Sequence, residues 1–225
     1  KCMLLMNTQE RDDNGTDLIA CQKTLCPEYK IHITNGNVDL TKLNHFYNMA
    51  DVTVNIASNE GFGLSGIESL MCGTPIINNV TGGLQDHCRF EDEDGKWIEF
   101  STEFPSNHNK TYETCGAWAK PVFPTNRSIQ GSPMTPFIFD DRCDFTDVAD
   151  AIKYWYDMPK EDRDHKGELG KEWAKGDESN MSAKRMSSRM SECIEECFEK
   201  WTPRKRFTLY KSKQIENVKQ PGVII

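Results

Sequence analysis

Strand-like and helix-like segments alternate through residue 79, and this rhythm limits the possible folds more than any other feature of the sequence. Four short apolar or β-branched runs predict buried strands, at 2–7, 29–33, 51–57 and 74–78. Three segments between them carry apolar residues at helical spacing, at 16–26, 41–50 and 65–73. Strands that alternate with helices in this way are typical of a Rossmann-like, doubly wound parallel sheet, so we predict an α/β fold.

The rhythm stops after residue 87. Residues 88–142 are rich in Pro, Gly, Ser, Asn and Thr with scattered aromatic residues, which predicts a long irregular insertion with one short hairpin at most. Helical spacing returns at 146–156, behind Thr146 as the expected N-cap, and again near 182–201. We therefore expect a Rossmann-like domain over 1–175, a C-terminal helix within 176–202 and a tail over 203–225.

Composition excludes several classes of protein. The 225 residues carry a formal charge of −8, which argues against a general nucleic-acid binder because such a protein needs a basic surface. Nine cysteines at irregular spacing indicate a reduced, cytoplasmic protein. No apolar run is long enough to cross a bilayer. The basic segment 203–213 leaves weak peripheral association with an anionic membrane as a further expectation.

The loop after the strand at 51–57 holds the chemically informative residues. Ligands of doubly wound sheets bind beyond the carboxyl ends of the strands. Here Gly61, Gly63 and Gly66 lie in a turn that leads into a helix, where glycines admit a close ligand and free N–H groups favour an anion such as a diphosphate. Glu60 precedes the turn and Glu68 lies about one turn inside the helix. Two carboxylates on either side of an anion site are suited to sugar diols.

Three motifs together resemble a known family. They are E-G-F-G-L-x-x-x-E at 60–68, CGTPII at 72–77 and TGGLQDH at 81–87. This combination resembles the donor-binding half of glycosyltransferase family 4, whose members are retaining enzymes with the two-domain GT-B fold. The insertion 88–142 is similar to glycosyltransferases of large DNA viruses. The resemblance implies an enzyme that transfers a hexose from a nucleoside-diphosphate sugar to an acceptor.

The resemblance also implies roles for the residues of the turn. Glu60 would be the catalytic-site carboxylate that binds hydroxyls of the transferred sugar, helped by the backbone N–H groups of Phe62 and Gly63, with Gly61 giving the turn its freedom. The N–H groups of Leu64 and Ser65 would hold the diphosphate. An oxocarbenium-like transition state moves negative charge onto the departing diphosphate, so fixed donors at that point lower the barrier.

The rest of the donor is placed by the same resemblance. Glu68 would bind the ribose hydroxyls, and the base would lie near Ile33 and Thr34 after the second strand. In retaining enzymes of this kind the leaving phosphate accepts the proton of the acceptor, so no protein general base is expected. Neither a metal nor a cofactor is implied.

Partners follow from the same comparison. The family neutralises the diphosphate with an Arg and a Lys placed before the strand with which this chain begins, and it has an N-terminal acceptor domain. We therefore expect either a fragment of a larger enzyme or a separate chain of one, inactive alone and in need of this missing N-terminal domain. The acceptor would be a glycan, a lipid or a protein, and no nucleic acid is expected.

Two other classes of function stay open. Residues 61–66 also match G-x-G-x-x-G, and Asp86 follows twenty residues later, as in a nicotinamide-dependent oxidoreductase. Against this, the motif follows the third strand, and the next strand ends without an acid for the ribose. The third class is a non-catalytic nucleotide-sugar-binding module. His87 could approach the donor sugar, but a capping or surface role is favoured. Asp92-x-Asp94, which has a metal signature, is expected to be an acidic loop.

Overall fold

The computed structural model describes residues 2–11, 15–34, 38–98 and 105–204. It divides into two compact units with the boundary between Ser182 and Ala183. The tail 205–225, and most of the basic segment 203–213 with it, lie outside the described residues, as do 99–104 of the expected insertion.

A parallel pair of strands opens the first unit. Strand β1 (Leu4–Asn7) pairs with β2 (Ile31–Thr34) in a register that runs from Leu4 opposite Ile31 to Asn7 opposite Thr34. Helix α1 (Leu18–Leu25) connects the two strands, and α2 (Leu40–Met49) follows β2. Both helices begin at an aspartate whose side chain accepts a backbone N–H of the first turn, the usual stabilising cap.

A second parallel sheet has the order β3-β4-β5. Its elements along the chain are β3 (Thr53–Asn55), α3 (Leu64–Cys72), β4 (Ile76–Asn79), the short helix α4 (Leu84–Cys88) and β5 (Ala119–Val122). The predicted order of strands and helices through residue 79 and the parallel pairing are confirmed, with helix ends shifted by one or two residues. The α/β, Rossmann-like fold class is likewise confirmed.

The segment 88–142, expected to be irregular, contains three strands. Besides β5, an antiparallel hairpin is formed by β6 (Asn126–Ser132) and β7 (Thr135–Arg142), with Ile129 opposite Phe139. The hairpin agrees with the one that the sequence suggested. Strand β5 was not expected, and it adds the third strand to the central sheet.

Three helices follow the hairpin, namely α5 (Phe145–Asp157), α6 (Lys160–Lys175) and α7 (Ala183–Lys200). The predicted helix at 146–156 is confirmed as α5, but Thr146 is not its cap. The N-cap is Asp144, whose carboxylate accepts the N–H of Thr146 at 2.7 Å. Helix α6 was not predicted. The second unit contributes α7 to the described residues, at the place where the last helix was expected, and none of its residues is buried.

Adjacent residues of β4 build cores on both faces of the central sheet. Ile76 and Ile77 are fully buried, and successive side chains of a strand point to opposite faces. Ile76 packs in a cluster with Leu70 of α3 and Trp173 of α6. Ile77 packs in a second cluster with Trp155 of α5. Helices on both faces are the arrangement expected for a parallel sheet.

All nine cysteines are free thiols. Within the described ranges, no helix has the length and apolar character needed to cross a membrane.

Candidate functional site

A tight turn joins the carboxyl end of β3 to the N-terminus of α3. Gly63 is the N-cap of α3 and has a φ of +83°, a left-handed conformation in which side chains are strained. A Cβ at this position would also lie 2.4 Å from Leu84 Cδ2. The backbone therefore favours glycine here, and any larger residue would also force the Leu84 side chain of α4 to shift.

The glycines of the TGG motif clamp the same turn from the other side. The N–H of Gly83 donates to the carbonyl of Glu60 at 3.2 Å. A Cβ on Gly82 would lie 2.0 Å from that carbonyl oxygen, and a Cβ on Gly83 would lie 2.3 Å from the carbonyl oxygen of Gly61. The two glycine motifs recognised separately in the sequence thus form one assembly, with backbone packed directly on backbone.

The side chain of Glu60 lies beside the start of α3. Its Cγ is 3.4 Å from the position of a Cβ on Gly63, and its Oε1 accepts the N–H of Gly61 at 3.1 Å. No side chain caps α3. The first N–H groups of a helix have no partner within the helix, and together with its dipole they attract anions. The positive end of α3 is thus left for an anion, with one carboxylate at its side.

Glu68 is held on the face of α3 that meets α2. The hydroxyl of Tyr47 donates to Glu68 Oε2 at 2.8 Å. Burial, and then the neighbouring carboxylate, raise the pKa of Tyr47 well above its ordinary value, so the hydroxyl stays a donor. The helical spacing in the sequence places Tyr47 only on an apolar helix face. Its hydroxyl could not be paired with Glu68 until the packing of α2 on α3 was known.

Other predicted residues divide between two places. Phe62 and Leu64 are 42% and 66% exposed, and Ser65 Oγ accepts from Asn55 Nδ2 at the end of β3, at 3.1 Å. These three lie at the turn with Glu60. Ile33 and Thr34 lie instead at the carboxyl end of β2, in the other sheet, where Thr34 Oγ1 donates to Asn7 Oδ1 at 3.0 Å. Residues 35–37, which follow them, are outside the described residues.

Asp141 is a residue of the site that sequence analysis missed. It lies at the end of the hairpin and is 1% exposed. Its N–H donates to the carbonyl of Ser58 at 2.8 Å, and its carbonyl accepts from Asn79 Nδ2 at 2.7 Å. Asp141 therefore ties the hairpin to the ends of both β3 and β4, directly behind the turn.

The carboxylate of Asp141 is also fully engaged. Thr81 Oγ1 donates to Oδ2 at 2.9 Å, Asn107 Nδ2 donates to Oδ1 at 3.2 Å, and Arg127 Nε lies 3.5 Å from Oδ1. A buried carboxylate is stable only when hydrogen bonds and a cation replace its water in this way. Only the acidic pair Asp140–Asp141 is visible in the sequence, and nothing there shows which member is buried.

We expect Asp141→Ala to destabilise the first unit by about 3 kcal/mol, because a buried hydroxyl and amide lose their acceptor. The neighbouring variant Asp140→Ala is the matched control: within the described residues Asp140 forms an ion pair with Arg142, whose side chain is 59% exposed, and its loss should cost about 1 kcal/mol or less. Urea denaturation of the three proteins measures both values. Equal losses in the two variants would contradict the anchoring role of Asp141.

His87 lies beneath the turn, and its expected capping or surface position is wrong. The side chain is fully buried, and its ring meets that of Phe62 edge-on at 4.9 Å between centroids. A Cβ on Gly66 would lie 2.6 Å from His87 Nδ1. Within the described part of the chain, neither ring nitrogen has a hydrogen-bond partner. Burial lowers the pKa of His87 to about 4, so the ring is neutral at neutral pH.

This burial predicts an acid sensitivity. The pKa of His87 is lower in the folded than in the unfolded chain, so stability is complete above about pH 6.5 and is lost as the pH falls towards 4. The loss amounts to about 3 kcal/mol at most. Asp86 acts in the opposite sense, because burial raises its pKa to about 6 and its neutral form is favoured as the pH falls.

Comparison of wild type with His87→Gln isolates the histidine, since Asp86 contributes equally to both proteins. We expect the stability advantage of the wild type over the variant to shrink by about 2 kcal/mol or more between pH 7 and pH 4.5. Thermal or urea unfolding over this range measures the difference. A difference that does not change with pH would show that His87 is not held neutral.

The acidic segment that carries a metal signature in the sequence is a turn. Asp92 Oδ1 accepts the N–H groups of Asp94 and Lys96 at 3.0 and 2.9 Å. Over the residues that the structure describes, no group of three or more potential ligands could hold a metal ion.

Residues 23–102 match the family model described as glycosyl transferases group 1. Two curated relatives also match. D-inositol 3-phosphate glycosyltransferase of Thermomonospora curvata is 44% identical over 57 residues, which are 25% of this chain and 13% of the relative. D-inositol 3-phosphate glycosyltransferase 2 of Catenulispora acidiphila is 45% identical over 47 residues, or 21% and 11%. The matching segments thus span about an eighth of the relatives or less.

Solved structures share the fold over most of the chain. Sucrose-phosphate synthase from Thermosynechococcus elongatus aligns with a TM-score of 0.55 at 20% identity, covering 86% of this chain and 38% of its own. Anabaena HepE, solved in complex with UDP, aligns with a TM-score of 0.55 at 13% identity, covering 86% and 40%. Identities this low establish the fold alone, which is an α/β fold of Rossmann-like type with parallel sheets.

Proposed function

We propose that this glycosyltransferase group 1 domain of GT-B type binds a nucleoside-diphosphate sugar at the N-terminus of α3. The observation that carries the proposal is the start of that helix, which no side chain caps, together with one carboxylate beside it and a second about one turn inside the helix. Glu60 lies beside the N-cap Gly63, and Glu68 is fixed by Tyr47. Two relatives are D-inositol 3-phosphate glycosyltransferases, and HepE was solved with UDP, a nucleoside diphosphate.

The donor would lie across the turn. We assign the diphosphate to the N–H groups of Leu64 and Ser65, which no capping side chain occupies. Glu60, with the N–H groups of Phe62 and Gly63, would bind hydroxyls of the hexose. The three residues Glu68, Ile33 and Thr34 would hold the nucleoside, the first at the ribose and the others near the base. Carboxylates beside the phosphates would repel them, whereas carboxylates on the flanks accept hydrogen bonds from hydroxyls.

The same arrangement supports a retaining transfer, as in glycosyltransferase family 4. Negative charge that develops on the leaving diphosphate would meet N–H groups that already point to it, so little reorganisation is needed at the barrier. The leaving phosphate would take the proton of the acceptor hydroxyl. This scheme uses no metal or cofactor. The likeness of segment 88–142 to enzymes of large DNA viruses stays a prediction.

Transfer also needs an acceptor site, and we propose that a further domain supplies it. The chain covers 38% and 40% of the two solved structures that it matches. A glycan, lipid or protein acceptor would lie opposite the exposed side chains of Phe62 and Leu64. The described domain alone would then bind donor weakly.

The structure also bears on the nicotinamide alternative. Dinucleotide-binding sheets place a carboxylate at the end of the strand that follows the glycine motif, where it binds the ribose. Here β4 ends at Asn78 and Asn79, both buried. The side chain of Asn79 donates to the carbonyls of Ala57 and Asp141. Asp86 lies beyond the strand, in α4.

A ligand titration tests the proposal. We expect UDP or ADP to bind in a saturable way, and the corresponding nucleoside, uridine or adenosine, to bind at least about tenfold more weakly, because the diphosphate contacts are absent. NAD⁺ should bind more weakly than the nucleoside diphosphate. Equal affinity for nucleoside and diphosphate would refute the helix-terminus site, and preferential binding of NAD⁺ would favour the oxidoreductase.

A further inference from the structure

An open cavity of about 570 Å³ lies beside β5, and it shares no lining residue with the turn at 60–68. Its walls come from three parts of the first unit. They are the segment 110–123, Tyr154 of α5 and Lys166 of α6. The site proposed for the donor therefore leaves this cavity without a role, and the inference below does not rest on the proposed function.

The charge of the cavity opposes that of the chain. Lys110, Lys120 and Lys166 line it together with a single carboxylate, Glu113, so two positive charges remain in a protein whose formal charge is −8. None of the three lysines forms an ion pair with any residue of the described ranges. Five lysines elsewhere do, namely Lys42, Lys153, Lys160, Lys171 and Lys200. Three ammonium groups around one carboxylate still leave an excess of positive charge, and a bound anion lowers the cost of their mutual repulsion.

Aromatic rings hold two of these ammonium groups in place. Lys120 Nζ lies 4.8 Å from the ring centroid of Tyr154, and Lys110 Nζ lies 5.8 Å from that of Phe123. A cation–π contact orients an ammonium group but does not neutralise it. Both rings also line the cavity, so a ligand would meet flat apolar surface beside positive charge.

The backbone and a neighbouring thiol give independent support. Asn109 and Lys110 have φ values of +46° and +67°, and such strained conformations persist only where the surrounding structure imposes them. Burial raises the pKa of the Cys115 thiol in the cavity wall to about 11, while Lys120 opposes this rise, Glu91 adds to it and Lys166 opposes it. The positive charges of Lys120 and Lys166 therefore both act on the part of the cavity wall that contains Cys115.

We propose that this cavity binds a small phosphomonoester, with the phosphate between Lys120 and Lys166 and the organic part against Phe123 and Tyr154. A phosphomonoester carries between one and two negative charges at neutral pH, which matches the excess charge of the lining. The cavity volume is in the range of small-molecule sites and exceeds what inorganic phosphate alone would fill.

Pyridoxal 5′-phosphate is a suitable probe, because it is a phosphomonoester whose aldehyde condenses with a lysine amine, releasing water, and borohydride then reduces the imine. Peptide mapping gives the labelling of each lysine. With the phosphate held by Lys120 and Lys166, the aldehyde would lie near Lys110, the third lysine of the cavity, beside Phe123. We expect Lys110 to be labelled at least about tenfold faster than Lys153 and Lys171, which serve as internal controls. Glucose 6-phosphate should protect Lys110, whereas sodium chloride of equal ionic strength should not.

A matched variant and two competitors sharpen the test. Lys120→Gln should lower the labelling of Lys110 by about fivefold or more if Lys120 binds the phosphate, while Lys153→Gln should leave it unchanged. Inorganic phosphate should protect less well than glucose 6-phosphate. Labelling that follows exposure alone overturns the proposal. So does protection by citrate equal to that by glucose 6-phosphate, since the cavity would then bind anions in general.

Discussion

Replacement of Gly83 by alanine should destabilise the first unit by about 3 kcal/mol and weaken the binding of UDP or ADP at least about tenfold. Gly83 has a φ of −69°, so alanine suits its backbone conformation. The added Cβ, however, would lie 2.3 Å from the carbonyl oxygen of Gly61 and 2.7 Å from Cα of Phe62. Both contacts are to backbone, so one of the two loops must move, and the turn that presents the N-terminus of α3 moves with it.

Gly61→Ala is the matched control for this prediction. Gly61 lies in the same turn, its φ is not positive, and a Cβ there would meet nothing within 4 Å. We expect its stability to stay within about 1 kcal/mol of wild type. Urea denaturation and nucleotide titration of the two variants provide the comparison. If Gly83→Ala is as stable as Gly61→Ala, the loops do not pack as described.

Substitution of Glu60 and substitution of Glu68 should weaken the binding of different ligands. Glu68→Ala should weaken UDP or ADP by about 10- to 100-fold, because a charge-assisted hydrogen bond to the ribose is lost. Tyr47→Phe should produce a smaller loss, of about threefold, since it removes only the group that orients Glu68. Glu60→Ala should leave the affinity for the nucleoside diphosphate almost unchanged and reduce only the extra affinity that the hexose of a nucleotide sugar provides.

Calorimetric titration of each variant with the nucleoside diphosphate and its sugar conjugate measures this separation. The exposed Glu172 of α6 offers a control, because Glu172→Ala removes the same charge away from the site. Equal losses for both ligands in Glu60→Ala and Glu68→Ala would show a general electrostatic effect in place of two distinct subsites.

The fold could be predicted from the sequence where apolar periodicity reports burial. Prediction from apolar periodicity failed for α6. The buried residues of this helix are Gly167, Gly170, Trp173 and Ala174. A Cβ on Gly167 would lie 1.9 Å from the carbonyl oxygen of Gly73, so this helix packs through glycine and shows few apolar residues. Glycine within a helix is unfavourable unless close packing compensates, and the sequence does not reveal that packing.

Strand β5 was missed for a different reason. Pro121 lies within it, and proline argues against a central strand because it cannot donate to the ladder. Among the described strands β5 lies at the end of the sheet, paired only with β4, so one of its edges needs no donor. Strand position depends on tertiary structure, which local sequence cannot supply.

The site was predictable only in part. The glycine spacing and the flanking carboxylates at Glu60 and Glu68 are local features, and the sequence indicated both. Tyr47 lies 21 residues from its partner Glu68 along the chain. Asp141 lies 60 residues from its partner Thr81. Such contacts are set by the packing of α2 and of the hairpin, and neither residue type carries a distinctive local signal.

The most direct test of the diphosphate site at the N-terminus of α3 is an NMR titration of the ¹⁵N-labelled protein with whichever of UDP and ADP binds. If the donor binds at the N-terminus of α3, the amide signals of residues 62–65 should move most, because their N–H groups bind the diphosphate and the adjoining sugar. Uridine or adenosine should leave those signals almost unchanged. Shifts concentrated elsewhere, with the amides of Leu64 and Ser65 unaffected by the diphosphate, would show that the diphosphate does not bind at the start of α3.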